Sequence, residues 1–483
     1  MKLLLLLSLL ISCRVLAFVE LEDRKALEVE GEKLTPFWAQ EYIGADLVKE
    51  EMRQIPGLVK VPVSVYDIGF EKDHIKLTRD IEVDTASGGM GEVGYGGHGT
   101  SVASLLNWPG MVSASEVVDF VQLRRVSPDI FYYSALQEVK SMSVRPWIIS
   151  NSMGWETAEV TGYARQADQM GIIWVMAAGN SHPLKIEDHE RLAPVISVGS
   201  YSPRGLQTIY SQESDQLDIL APGDDYQAAI DGMGQRALFG ATSGATPLVT
   251  ATIANVKSLL PSLGRSEIEF LLKKTALASF HSLYLPDNKT GLLNSYKAWK
   301  VAERLFAICG KDEACLQQQI RNGRNYVFKE ARLTAKVEGV CAGKTVLAKQ
   351  EMNDLRRQYF LNPQITRYAR LLSCAYGNEG YSVNADNYDS MVLIQSDPVA
   401  MQAKVRRQAV RAVQKNHVNS GALRDVQILD DSFREALVLA LKDGHGLYPS
   451  RAREFLEKYD QTGRVELSDR SKISKKSSKK TVK

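Results

Sequence analysis

The sequence predicts an α/β protein: a doubly wound, mostly parallel sheet with helices on both faces, followed by a smaller α-rich region. Short apolar runs recur at residues 61–67, 147–150, 171–178, 195–199 and 217–221, and each suits a buried strand. Helical patterns such as 156–170 lie between them, with polar and apolar positions recurring every three to four residues. Strands alternating with helices build a parallel sheet covered on both faces. From about Ala298 long helical patterns take over. In 401–415, Val405, Ala409, Ala412 and Val413 form an apolar face, while Arg406, Arg407 and Arg411 face away as a solvated surface.

In chain order, Leu3 to Ser12 is nearly all leucine and too short to span a bilayer, and Val15-Leu16-Ala17 follows with a small residue at a cleavage position. Residues 1–17 therefore read as a signal peptide. Leu10-Ile11-Ser12-Cys13 offers a second reading, lipoprotein anchoring through an acylated Cys13. Residues 18–35 are charged and weakly patterned, and a packed lead-in follows at 38–45. Val61, Val63 and Val65 alternate in the run that ends at Asp67. The catalytic unit is expected at 36–302, the α-rich domain at 303–465 and a basic, disordered tail at 466–483.

With 483 residues, 44% of them hydrophobic, the chain can bury a sizeable core. Its net charge of +2 hides an acidic body, because Arg470, Lys472, Lys475, Lys476, Lys479, Lys480 and Lys483 crowd the last residues. An acidic body argues against a nucleic-acid enzyme; the tail is a solvated end or touches anionic surfaces. Once Cys13 leaves with the signal, Cys309, Cys315, Cys341 and Cys374 remain, an even set that in an exported chain favours disulfides. The expected pairs are Cys309 with Cys315 and Cys341 with Cys374. The spacing shows no metal pattern such as Cys-x-x-Cys, so no metal site is expected.

Polar residues fall at the ends of the apolar runs, among them Asp67, Ser152 and Asn180, and in a parallel sheet ligands sit outside the carboxyl ends of strands. Gly96-Gly97-His98-Gly99-Thr100 opens an apolar helical run, placing a histidine in a first turn. Ala241-Thr242-Ser243-Gly244-Ala245-Thr246-Pro247 leads into an apolar helix at 248–260, with small residues leaving the Ser243 hydroxyl approachable and Pro247 in the first turn. Alone, His98 reads as a cap or packed residue and Ser243 as an N-cap. Together with Asp67 and the uncharged amide of Asn180 they supply a base, a nucleophile, a group to orient the base and an oxyanion donor.

These segments together resemble the subtilisin-like protease family, whose triad occurs in the order Asp, His, Ser. The resemblance rests on Asp67-Ile68-Gly69, Gly97-His98-Gly99-Thr100, Ala177-Ala178-Gly179-Asn180 and Thr242-Ser243-Gly244-Ala245-Thr246-Pro247. Further matches are Ser150 to Gly154, Val195 to Gly199, Leu220 to Gly223 and Gly291 to Asn294, the whole covering Pro36 to Ala302. It implies a serine endopeptidase acting on proteins or peptides, with Ser243 as nucleophile, His98 as base, Asp67 orienting it, Asn180 with the Ser243 amide binding the oxyanion, and Ser152, Met153 and Gly154 lining the cleft. No cofactor is required for the chemistry. Structural calcium, common in the family, finds loop acids in Asp73, Asp80 and Asp84 but no ligand spacing.

Three positions depart from the family's usual residues: Ile68 for threonine, Ala241 for glycine and Gly244 for methionine. Residues 18–36 are too short for the family's usual propeptide. The alternative is a catalytically silent binding protein on the same scaffold, against which the full set of reacting groups argues. An esterase would need a Gly-x-Ser-x-Gly elbow, absent around Ser243.

Overall fold

Two short antiparallel strands, β1 (Leu27–Val29) and β2 (Glu32–Leu34), lead into helices α1 (Trp38–Ile43) and α2 (Ala45–Met52). This is a computed structural model that describes residues 26–414, apart from residues 30, 76, 85–94, 109–111, 127–129, 154–158, 183–185, 187–192, 225–226, 231, 233 and 281–289. The leader with Cys13, cleft candidate Gly154 and the basic tail lie outside the described residues.

The α1–α2 corner turns on Gly44, at φ 71°. A Cβ there would meet Tyr296 Cβ at 2.7 Å and the Phe360 ring at 2.9 Å, so both backbone and space demand glycine. Gly44→Ala is expected to cost about 2–4 kcal/mol, from the left-handed penalty and overpacking together. Urea unfolding reads this directly, and an unchanged midpoint would mean that the corner relaxes freely.

The next elements are β3 (Val61–Asp67), α3 (Tyr95–Leu106), β4 (Val118–Arg125), α4 (Ile130–Ser141), β5 (Ile148–Asn151), α5 (Glu159–Gln169), β6 (Ile173–Ala177), β7 (Val195–Tyr201) and β8 (Ile219–Pro222). A hairpin of β9 (Gln227–Ile230) and β10 (Arg236–Phe239) precedes α6 (Ala241–Leu259), α7 (Arg265–Thr275) and β11 (Gly291–Leu292). The sheet runs β11-β8-β7-β6-β5-β3-β4, with every neighbouring pair parallel. This is the α/β architecture expected from the sequence. After β3 the chain goes to the β4 edge and then returns to β5 on the other side, so the strand order switches beside β3, and open sheets of this kind take ligands in the crevice at such a switch.

The period of two along each strand sorts side chains between two cores. Tyr66, Trp174 and Met176 pack with Tyr132 and Leu136 of α4 and Val160 and Ala164 of α5. Val61, Val63, Val65, Ile173 and Val175 face the other way, toward Val102 and Leu106 of α3 and Leu248 and Ala251 of α6. Helix α6 is buried from Thr242 to Leu259, and its small and aliphatic residues allow that central position.

The helical region comprises α8 (Ser295–Cys309), α9 (Glu313–Ile320), α10 (Lys349–Leu361), α11 (Thr366–Asn378), α12 (Ser382–Ser396) and α13 (Pro398–Gln414). Asn294 and Asp312 cap α8 and α9 by accepting the Lys297 and Cys315 amides. Disulfides join Cys309 to Cys315 and Cys341 to Cys374, with Cα separations of 5.5 and 5.2 Å. The helices share the α6-side core and dock on the N-terminal helices: the Tyr42 and Tyr359 rings lie 6.0 and 5.3 Å from that of Tyr388, against which Tyr376 stacks at 5.5 Å. No helix among the described residues is long and apolar enough to cross a membrane.

Candidate active site

Asp67 ends β3 and is fully buried. Its Oδ1 accepts the Ile68 amide at 2.8 Å and stands 2.6 Å from Nδ1 of His98, in the first turn of α3. Beside a buried carboxylate, Nδ1 carries the proton and donates, which leaves Nε2 as a free lone pair. Burial pulls the His98 pKa down, but the charge and hydrogen bond of Asp67 outweigh it and leave the group above its ordinary 6.5. Asp67 Oδ2 has no hydrogen-bond partner among the described residues; Ile68 has no hydroxyl to offer it.

Close approach of the two chain segments depends on Gly99, whose missing Cβ would stand 2.2 Å from the Gly69 carbonyl oxygen. The His98 ring meets the Phe239 ring edge-on at 5.1 Å and keeps about a quarter of its side-chain surface exposed.

Ser243 lies inside the first turn of α6 rather than before the helix, and Pro247 lies within the helix rather than at its start. The chain enters α6 through Ala241 at φ 58°, the only described non-glycine residue at positive φ. A non-glycine residue in that region stores about 1–3 kcal/mol of strain; this is the position where the family usually has glycine. Early helical amides lack intrahelical partners. The Thr242 amide donates to Asn180 Oδ1 at 3.1 Å and the Gly244 amide to the Gly240 carbonyl at 2.7 Å. The Ser243 amide has no backbone acceptor among the described residues.

Asn180 follows β6 on Gly179, at φ 94°. Its Oδ1 also accepts the Thr242 hydroxyl at 2.8 Å, so the carbonyl end is engaged and the amide NH₂ is the end left to donate. Asn180 and the Ser243 amide are thereby joined through Thr242, two neutral donors at the positive end of a long buried helix.

The Ser243 hydroxyl donates to the Ser152 carbonyl at 3.0 Å, and the Ser152 hydroxyl donates to the Ser243 carbonyl at 3.0 Å. No His98–Ser243 hydrogen bond occurs among the described residues, a common state of free hydrolytic sites. Ser152 itself is buried, and Met153 is half-buried against the α4–α5 core, its amide donating to Asn151 Oδ1 at 3.0 Å.

A Cβ on Gly244 would stand 2.7 Å from Gln227 Oε1 and 3.5 Å from the Phe239 ring. The hairpin strands β9 and β10 thus fill the space beside Ser243 that a longer residue at 244 would take. Sequence reasoning missed Gln227 and Phe239, since no local pattern announces which loop covers a glycine. It also missed the part of Pro247, although a proline four residues after a helical serine signals a carbonyl without its helical donor.

The acids considered for calcium do not converge. Asp84 instead accepts Arg124 Nη1 at 3.0 Å and the Arg125 amide at 3.1 Å, and no group of three metal-ligating side chains occurs among the described residues.

The model of the Subtilase family matches residues 59–300. Alkaline elastase YaB of Bacillus sp. (strain YaB) is 31% identical over 191 residues, covering 37% of this chain and 50% of that protein. Subtilisin BL of Lederbergia lenta is 36% identical over 110 residues, 23% of this chain and 40% of that protein. The chain thus spans about half or less of the length of these two curated relatives. Among solved structures, a cold adapted subtilisin-like serine proteinase aligns over 50% of this chain and 90% of its own, with TM-score 0.41 and 21% identity.

Proposed function

Since the chain belongs to the Subtilase family, whose model covers half its length, we propose that it is a serine endopeptidase that cleaves proteins or peptides through an acyl-enzyme. In this reading residues 36–302 form the catalytic unit and 303–465 an appended helical one. The observation that carries it is the 2.6 Å hydrogen bond between buried Asp67 and His98, at the switch point of the sheet, with the Phe239 ring against His98 and beside Gly244, the neighbour of Ser243. The hydroxyl turns from the Ser152 carbonyl to His98 Nε2, gives up its proton and attacks the peptide carbonyl. The forming oxyanion takes hydrogen bonds from Asn180 and the Ser243 amide. His98 then passes the proton to the departing amine, and water repeats the sequence on the ester. The two disulfides suit a chain that works outside the cytoplasm.

Labelling with a fluorophosphonate probe tests the reading. Modification at Ser243, read by mass spectrometry and lost in Ser243→Ala, supports it; folded protein that stays unlabelled and leaves peptides intact overturns it.

The base must be neutral to accept a proton, so kcat/KM is expected to rise with pH through an apparent pKa above 6.5, because Asp67 raises that of His98. In Asp67→Asn the raising charge is gone and burial is left to lower the pKa, so the limb should move to lower pH while its plateau drops. A limb that stays in place would mean that another group titrates.

A further inference from the structure

Within α6, Pro247 stands four residues after Ser243, where an N–H would close the helical bond to the Ser243 carbonyl; proline has none. The Ser152 hydroxyl takes that acceptor instead, at 3.0 Å, while the Ser152 carbonyl accepts the Ser243 hydroxyl at the same distance. Ser152 is 3% exposed and Ser243 6%, so water competes little for either bond. The base of this clamp is firm: Ser152 directly follows β5, which pairs on one side with β3 and on the other with β6. We propose that Ser152 is a positioning residue for the nucleophile. Its hydroxyl replaces the helical bond that Pro247 removes and holds the Ser243 main chain, and so aims both the reacting oxygen and the Ser243 amide. Its carbonyl keeps that oxygen in a resting rotamer between turnovers. The proposal rests on the reading of Ser243 as nucleophile.

The test uses the full chain with Ser152→Ala, Ser152→Thr, Pro247→Ala and the Ser152→Ala/Pro247→Ala pair, assayed on a peptide anilide and by the rate of fluorophosphonate labelling. Ser152→Ala should lower kcat and the labelling rate about tenfold, the size of one hydrogen bond that matters, with KM little changed. Ser152→Thr, which keeps the hydroxyl, should restore most of the loss. With Pro247→Ala, a new N–H serves the Ser243 carbonyl, so the added Ser152→Ala step should cost less than about threefold. An equal loss in both backgrounds, or a lowered melting temperature with kcat and labelling unchanged, overturns the proposal. A wild type that never labels overturns the nucleophile reading itself, a result distinct from either.

Discussion

Alanine at position 243 is expected to lower kcat by about 10⁶-fold while KM for a peptide substrate changes by a few-fold at most. The Ser243 oxygen is the atom that would form the acyl bond, and the imidazole of His98 is the base that would take its proton. His98→Ala should cost nearly as much, and the double variant little more, because the groups of such a triad act as a unit and their losses do not add. Asn180→Ala should cost less, about 10²–10³-fold in kcat, because the Ser243 amide still serves the oxyanion. Steady-state assays on one quenched peptide rank the four proteins. If Ser243→Ala kept more than a hundredth of the wild-type rate while His98→Ala lost it, another nucleophile would be at work; parallel survival in both would point away from this crevice altogether.

The parts of this site that could be read in advance are those set by local chemistry. Apolar runs ending in Asp67 and Asn180 mark strand ends in a parallel sheet, and small residues before an apolar helix mark Ser243, because strand burial and helix entry depend on a few neighbours. The hydrogen bond between Asp67 and His98 joins residues that the sequence keeps 31 positions apart; their types could be recognised, but their meeting depends on Gly99 lying against the Gly69 carbonyl. Gln227 and Phe239 could not be read at all, since the hairpin that carries them reaches Ser243 through tertiary packing alone. Pro247 was legible as a residue and misplaced as a structure. It was expected in a first turn, where proline is harmless, and it lies within α6 because Ser152, 91 residues away from Ser243, repairs the bond that it breaks. The helical region was likewise legible as helices, but its docking partner was not. The tyrosines that hold it to α1 come from Tyr42 at one end of the chain and Tyr359, Tyr376 and Tyr388 at the other, a contact with no local signature.

That docking surface also holds the single side chain whose loss should unfold the most. Arg356 of α10 is 3% exposed. It gives two hydrogen bonds to Asp46 in the first turn of α2, at 2.6 and 2.7 Å, and a third to the Glu41 carbonyl at 2.7 Å. Burial lowers the guanidinium pKa, but Asp46, Tyr376 and Glu41 together raise it more, so the group stays charged. Arg356→Met keeps the volume and strands the carboxylates of Asp46 and Glu41, which is expected to destabilise the protein by about 3–5 kcal/mol. Replacing both partners, Arg356→Met with Asp46→Leu, should recover much of that loss, since two apolar groups leave no charge behind. The deficit should also depend on pH in a definite direction. Burial already holds the Glu41 carboxyl above 4.5, with Arg356 as the main opposing influence; without the arginine it should rise further. A carboxyl whose folded pKa is raised favours the folded state at low pH, and that advantage disappears as pH climbs from about 4.5 through the folded value. The single variant should therefore lie closest to wild type near pH 4 and lose ground toward neutrality, as measured by urea unfolding at a series of pH values. A deficit of the same size at every pH would mean that Arg356 acts through packing against the Phe360 ring, 5.9 Å from its guanidinium, and not through the charges that it holds.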